Sequence, residues 1–163
     1  MRFLPAGDLA VSVELGDEIS REVNARVLAL EYLIQQKGLG GVVETVPTFR
    51  SLLVYYDPFV VGYEELVAEL AALIPEARPE VLPPARTVEL PCCYEGDLGF
   101  ELDAAAAKLG LSSEEMVRLH SGADYHVYFV GFTPGLPYMT GMPNGLTIPR
   151  LEKPRTRTPA GSV

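Results

Sequence analysis

Val42-Val43-Glu44-Thr45-Val46-Pro47-Thr48-Phe49-Arg50-Ser51-Leu52-Leu53-Val54-Tyr55-Tyr56-Asp57-Pro58 is the stretch on which the fold turns. It holds two β-prone runs, Val42 to Val46 and Phe49 to Tyr56, interrupted by Pro47 and stopped by Asp57-Pro58. Upstream, Ile19, Val23, Val27, Leu30 and Ile34 recur every three or four residues, which predicts an amphipathic helix ending at Lys37-Gly38. Before that helix, Leu9 to Leu15 alternates and is rich in Val, as a strand would be, and Gly16-Asp17 closes it. Downstream, Leu66, Leu70 and Leu73 mark a second helix from about Tyr63 to Ile74. The order is β-α-β-β-α, with a last strand expected near Val88 to Cys93. That is the split βαβ arrangement of ferredoxin-like domains.

Pro75, Pro79, Pro83 and Pro84 then fall close together and predict a stiff, extended linker. Beyond it the texture changes. Leu102 to Leu109 carries four consecutive alanines and predicts a short helix. Ser112 followed by Glu115 is a capping box, opening a helix that ends near His120. Tyr125 to Phe132 is β-branched and aromatic. From Gly131 to Pro149 glycine and proline are too dense for a helix, which leaves short strands and shaped loops, as in a small β-barrel. The fold class expected is α+β, with a ferredoxin-like domain over 1–82 and a β-barrel domain over 86–163.

Composition narrows the function. With 48% hydrophobic and 21% charged residues, the 163-residue chain can form packed cores. A formal net charge of -9 argues against nucleic acid as the main partner, because phosphate neutralisation needs clustered Lys and Arg. Four cations nonetheless fall within eight residues: Arg150, Lys153, Arg155 and Arg157. The two cysteines, Cys92 and Cys93, are adjacent, which excludes a disulfide framework and offers no metal-ligand spacing. They are expected to be buried core rather than nucleophiles. Neither a signal peptide nor a long apolar run is present, so a soluble cytoplasmic protein is expected.

Taken in order, the motifs resemble one family along the whole chain. They are Gly7-Asp8-Leu9-Ala10-Val11, Val46-Pro47-Thr48-Phe49-Arg50-Ser51-Leu52-Leu53-Val54, Leu90-Pro91-Cys92-Cys93-Tyr94, Leu119-His120-Ser121, Tyr125-His126-Val127-Tyr128, Gly131-Phe132-Thr133-Pro134-Gly135-Leu136-Pro137-Tyr138, Pro149-Arg150, Pro154-Arg155 and Pro159-Ala160-Gly161-Ser162-Val163. Phe49 stands where tyrosine is common, and Leu136 where phenylalanine is usual. The family is that of the 5-oxoprolinase B subunit, also called the KipI family or allophanate hydrolase subunit 1. The resemblance implies an N-terminal α/β domain followed by a cyclophilin-like β-barrel. It also implies further strands beyond Val163, which this sequence lacks. It implies a subunit that works with C and A subunits to convert 5-oxo-L-proline to L-glutamate, with ATP, accompanied by Mg2+, as co-substrate. One branch instead inhibits a sporulation histidine kinase, and the allophanate name points to a third reading.

Such chemistry selects the candidate residues. A lactam is a poor electrophile until its carbonyl oxygen is phosphorylated, so the site needs cations or N–H groups for phosphate and a donor or base near the attacked carbon. No Walker-type loop is present. Arg150 and Arg155 each follow a proline and suit bidentate contact with an anion, with His120 expected close by; these three are the catalytic candidates. Surface ion pairs, and for His120 a favourable place at a helix C-terminus, are the competing structural roles. Gly131, Phe132, Pro134, Gly135 and Tyr138 are the substrate- or nucleotide-binding candidates, against the alternative of a barrel corner. His126, in mid-strand, and Thr48, Arg50 and Ser51, flanking one, are weaker candidates.

Overall fold

The computed structural model describes residues 1–162. Val163, the last residue of the C-terminal motif and of the expected second domain, lies outside the described residues. The chain divides into two compact units: Met1–Val88 together with His126–Thr140, and Glu89–Tyr125 together with Gly141–Val163.

The first unit is built on a four-stranded antiparallel sheet of β1 (Arg2–Pro5), β2 (Ala10–Glu14), β3 (Val42–Pro47) and β4 (Ser51–Tyr56), in the order β1-β2-β4-β3. The helices α1 (Arg21–Lys37) and α2 (Tyr63–Leu73) pack with it. The connection from β2 through α1 to β3 skips one position, and β4 fills it. Register follows the burial pattern. Val11 lies opposite Val54 and Val13 opposite Leu52, and all four are fully buried. A one-residue slip would turn this set to the other face. Val27, Leu30 and Ile34 of α1 and Leu66, Leu70 and Leu73 of α2 complete the core. Burying such a side chain is worth about 1.5–3 kcal/mol each.

The ends of α1 are specified locally. Ser20 accepts a hydrogen bond from the Val23 amide at 3.1 Å, and Gly38 adopts the left-handed conformation at φ 60° that terminates helices without a Cβ clash. Beyond α2 the chain stays on this unit. Ala77 is buried, and Val81 and Leu82 pack on the core around the 3-10 turn Pro79–Val81. The segment Ala77 to Leu82, with Pro79 inside it, thus packs on this unit through Ala77, Val81 and Leu82.

The final strand expected near Val88 to Cys93 does not form. The edge beside β2 is taken by β1, from the N-terminus, whose four residues gave no sequence pattern. With no partner for residues 88–93, Cys92 and Cys93 are exposed, not buried as expected. After the prolines the described residues contain two strands, β5 (His126–Val130) and β6 (Pro137–Thr140), paired as an antiparallel hairpin. It groups with the first unit.

The second unit holds α3 (Leu102–Leu109) and α4 (Ser113–Ser121), packed together. The Ser112 hydroxyl caps α4 by accepting from the Glu115 amide at 3.1 Å, as the Ser-x-x-Glu pattern predicts. Few of its apolar side chains are buried; Ala106 and Leu146 are, whereas Leu90, Leu98 and Phe100 are exposed. As a whole the fold is mixed α+β. No helix among the described residues is long and apolar enough to cross a membrane.

Candidate functional site

In the second unit, α4 delivers His120 in its last turn, where cations suit the helix dipole. Its Nδ1 lies 2.6 Å from the Tyr94 hydroxyl. Its backbone carbonyl accepts the Tyr125 hydroxyl at 3.1 Å. Both phenol rings also flank the imidazole, with centroids 5.8 Å (Tyr94) and 5.6 Å (Tyr125) away. Burial, then the nearby Cys92 thiol and the Tyr125 hydroxyl, push the Tyr94 phenol up to about 12. Burial also raises Tyr125. Tyr94 and Tyr125 were not singled out from the sequence. The only signal was that both lie in the motifs Leu90 to Tyr94 and Tyr125 to Tyr128.

Arg155 and Arg150 part company. Arg155 ion-pairs with Glu101 and lies over the Phe100 ring, 5.6 Å from its centroid. Arg150 is exposed and forms no ion pair among the described residues. No hydrogen bond among the described residues joins either arginine to His120.

The loop candidates lie on the β5–β6 hairpin of the first unit. The Gly131 amide donates to the Leu136 carbonyl at 3.0 Å and the Thr133 amide to the Gly131 carbonyl at 2.7 Å. This tight turn sets Phe132 at φ 63°, left-handed for a residue with a bulky side chain, with 90% of it exposed. Pro134 and Gly135 are exposed at the tip. Tyr138 is half-buried in β6. Its ring stacks on Phe129 at 4.5 Å and meets the edge of Phe49 at 5.9 Å. Phe49 also packs edge-on against Tyr128 and Phe129. Its motif therefore serves to dock the hairpin on the first unit.

His126 packs edge-on against Tyr128 at 5.1 Å. Burial, then the charge of Arg21, lower its pKa. Thr48 and Ser51 bond to each other across the β3–β4 turn, and Arg50 donates to the Gly16 carbonyl. The concave regions of the first unit are shallow. One, about 390 Å3, lies between α1 and β3 beside Glu31, whose carboxyl is raised by burial and partly brought back by the Thr45 hydroxyl. No group of three His, Cys, Asp or Glu among the described residues is placed to hold a metal ion.

An α+β fold with this motif order defines a class. The chain belongs to the family "Carboxyltransferase domain, subdomain C and D", which matches residues 1–163. Its curated relatives share one name, that of the 5-oxoprolinase B subunit. The chain is 34% identical to the B subunit of Bacillus subtilis (strain 168), with 96% of this chain and 70% of the relative aligned. It is 32% identical to the protein of that name from Escherichia coli O157:H7, over 96% and 71%. The Haemophilus influenzae protein is also 32% identical, over 100% and 75%. Among solved structures it is similar to TTHA0988, at 34% identity and a TM-score of 0.80, covering 93% of this chain but 29% of that one. The Kluyveromyces lactis urea carboxylase, 15% identical with a TM-score of 0.56, shares the fold alone.

Proposed function

We propose that this chain is the B subunit of an ATP-dependent 5-oxoprolinase, acting on 5-oxo-L-proline only in company with C and A subunits. The observation that carries this reading is the match of 96–100% of this chain to 70–75% of three proteins named as the 5-oxoprolinase B subunit. In this reading the part after the prolines contributes to a cyclophilin-like barrel, the N-terminal part is ferredoxin-like, and the complex is cytoplasmic.

The chemistry assigns the roles. ATP, with Mg2+, would phosphorylate the lactam carbonyl oxygen; a first water adds at the ring carbon, the C–N bond opens as the nitrogen takes up a proton, and a second water hydrolyses the resulting acyl phosphate to the carboxylate and phosphate. Overall, 5-oxoproline, ATP and two waters give glutamate, ADP and phosphate. Arg150 and Arg155 neutralise anionic oxygens, and His120 sits near the reacting carbonyl. Gly131, Phe132, Pro134, Gly135 and Tyr138 form the substrate- or nucleotide-contacting loop. The unpaired state of Arg150 supports this, because among the described residues its guanidinium is not committed to a neighbouring carboxylate.

The test is reconstitution. The purified chain alone should release no glutamate from 5-oxoproline and ATP, and addition of the C and A subunits should restore release dependent on both substrates. Failure to restore it with active partner subunits would sink the reading.

A further inference from the structure

We propose that Tyr94 is a positioning residue that locks His120 as its Nε2–H tautomer, so that His120 offers its ligand a hydrogen bond rather than a lone pair. This deepens the function proposed above and rests on His120 belonging to that site.

One phenolic proton faces two acceptors. The Tyr94 hydroxyl stands 2.6 Å from His120 Nδ1. At that separation the two atoms share one hydrogen bond, whose direction depends on where the protons sit. The Cys92 thiol is the phenol's other hydrogen-bond partner, and sulfur is a weaker acceptor than an imidazole nitrogen. With its pKa pushed up to about 12, the phenol keeps its proton across the physiological range. The proton therefore points at Nδ1. A neutral imidazole carries one proton, so Nε2 holds it.

The backbone supports this placement. The chain turns back over Tyr94 through the 3-10 turn Gly96–Leu98, and a Cβ at position 99 would overlap the Tyr94 carbonyl oxygen. Only glycine fits there. From the other side, the Tyr125 hydroxyl holds the His120 backbone carbonyl. The ring is thus fixed at Nδ1 and at its backbone, while no hydrogen bond among the described residues engages Nε2. An Nε2–H suits a carbonyl or phosphoryl oxygen that gains negative charge as the lactam is attacked. It cannot take a proton from water at that nitrogen.

The chain has two histidines, so the ring signals can be assigned with one variant, His126→Gln. Long-range 1H–15N correlation on the intact 15N-labelled chain at about pH 8.5, above the ordinary imidazole range near 6.5, reads the tautomer directly. The expected result is an unprotonated Nδ1 and a protonated Nε2 on His120, with Tyr94→Phe shifting both nitrogens toward the average of a tautomer mixture. A protonated Nδ1 in the parent, or a pattern unchanged in Tyr94→Phe, would overturn the lock. In the complex reconstituted with the C and A subunits, Tyr94→Phe should lower kcat by about tenfold, the upper end for one neutral hydrogen bond, with KM changed less. Full activity of His120→Gln, with the expected tautomer pattern found in the parent, would overturn the placement of His120 at the site, while the tautomer result would still uphold the lock.

Discussion

The Asn24 side-chain amide, fully buried near the start of α1, donates to the backbone carbonyl of Tyr128 at 3.4 Å, across 104 positions of chain. The same nitrogen donates to the Thr48 carbonyl at 3.0 Å. One side chain thus ties the first helix, the β3–β4 turn and the β5–β6 hairpin together. The Phe49 ring, against Tyr128 and Phe129, seals the same junction with aromatic edges.

Asn24→Ala should therefore cost about 1–3 kcal/mol, because it leaves buried carbonyl oxygens without a donor. Asn24→Asp should cost more, since it places a carboxylate where no exposure remains and faces it with carbonyl oxygens. Urea unfolding followed by far-UV circular dichroism gives the ranking. Limited proteolysis should show new cleavage within 126–140. An Asn24→Ala variant as stable as the parent would show that the hairpin is held by its aromatic contacts alone.

Much of the first unit was legible in the sequence because its signals are local. The spacing of Val23, Val27, Leu30 and Ile34 gave α1, and in the second unit Ser112 with Glu115 gave the start of α4. What failed was non-local. Val88 to Cys93 has strand-like residues, but a strand needs a neighbour and none is offered there. Arg2–Pro5 is too short to show alternation and becomes a strand because Arg2 to Pro5 meet Val11 to Glu14 in register. The pairing of Tyr94 with His120 spans 26 positions, and no spacing rule connects them. The candidate residues follow from the chemistry an anion and a lactam require, which selects residue types without geometry. That is why Arg155, paired with Glu101, and Arg150, unpaired among the described residues, could not be told apart.

Acid should weaken the first unit through His126. Its pKa is lowered in the fold, by burial first and by Arg21 second, so the unfolded chain binds the proton more readily. Stability from this group is present above the unfolded pKa near 6.5 and is lost as the pH falls from there through the lower folded value. His126→Gln, which does not titrate, should lose less stability than the parent between about pH 7 and 5.5 in urea unfolding. Parallel pH profiles for the two proteins would refute this.

Phe132 carries a conformational cost that glycine would remove. A bulky L-residue in the left-handed region is disfavoured by about 1–2 kcal/mol, and glycine gives back part of that through its freer unfolded chain. Phe132→Gly should raise stability by up to about 1 kcal/mol, because the exposed ring has little packing to lose. If the loop contacts ligand as proposed, the same substitution should lower the activity of the reconstituted complex. A variant less stable than the parent would show that the turn is not strained.

The two arginines should separate when stability and activity are measured side by side. Arg155 is paired with Glu101 and lies over Phe100, but the pair is partly exposed, so Arg155→Ala should cost no more than about 1 kcal/mol. Arg150 has no ion pair among the described residues, and Arg150→Ala should change stability by less than about 0.5 kcal/mol. Activity in the reconstituted complex should respond differently. A charge-assisted hydrogen bond to an anionic oxygen is worth about 1.5–3 kcal/mol, so losing one costs roughly tenfold or more. On a chain of net charge -9, a positive patch is what draws an anion in. Arg150→Ala should thus be stable and impaired, and Arg150→Lys should recover only part of the loss because the planar fork is gone. For Arg155, the stability loss of the Ala variant should be matched by Glu101→Gln, whereas the activity loss should not. If both alanine variants keep full activity with every partner present, the arginines are surface charge and the anion is held elsewhere.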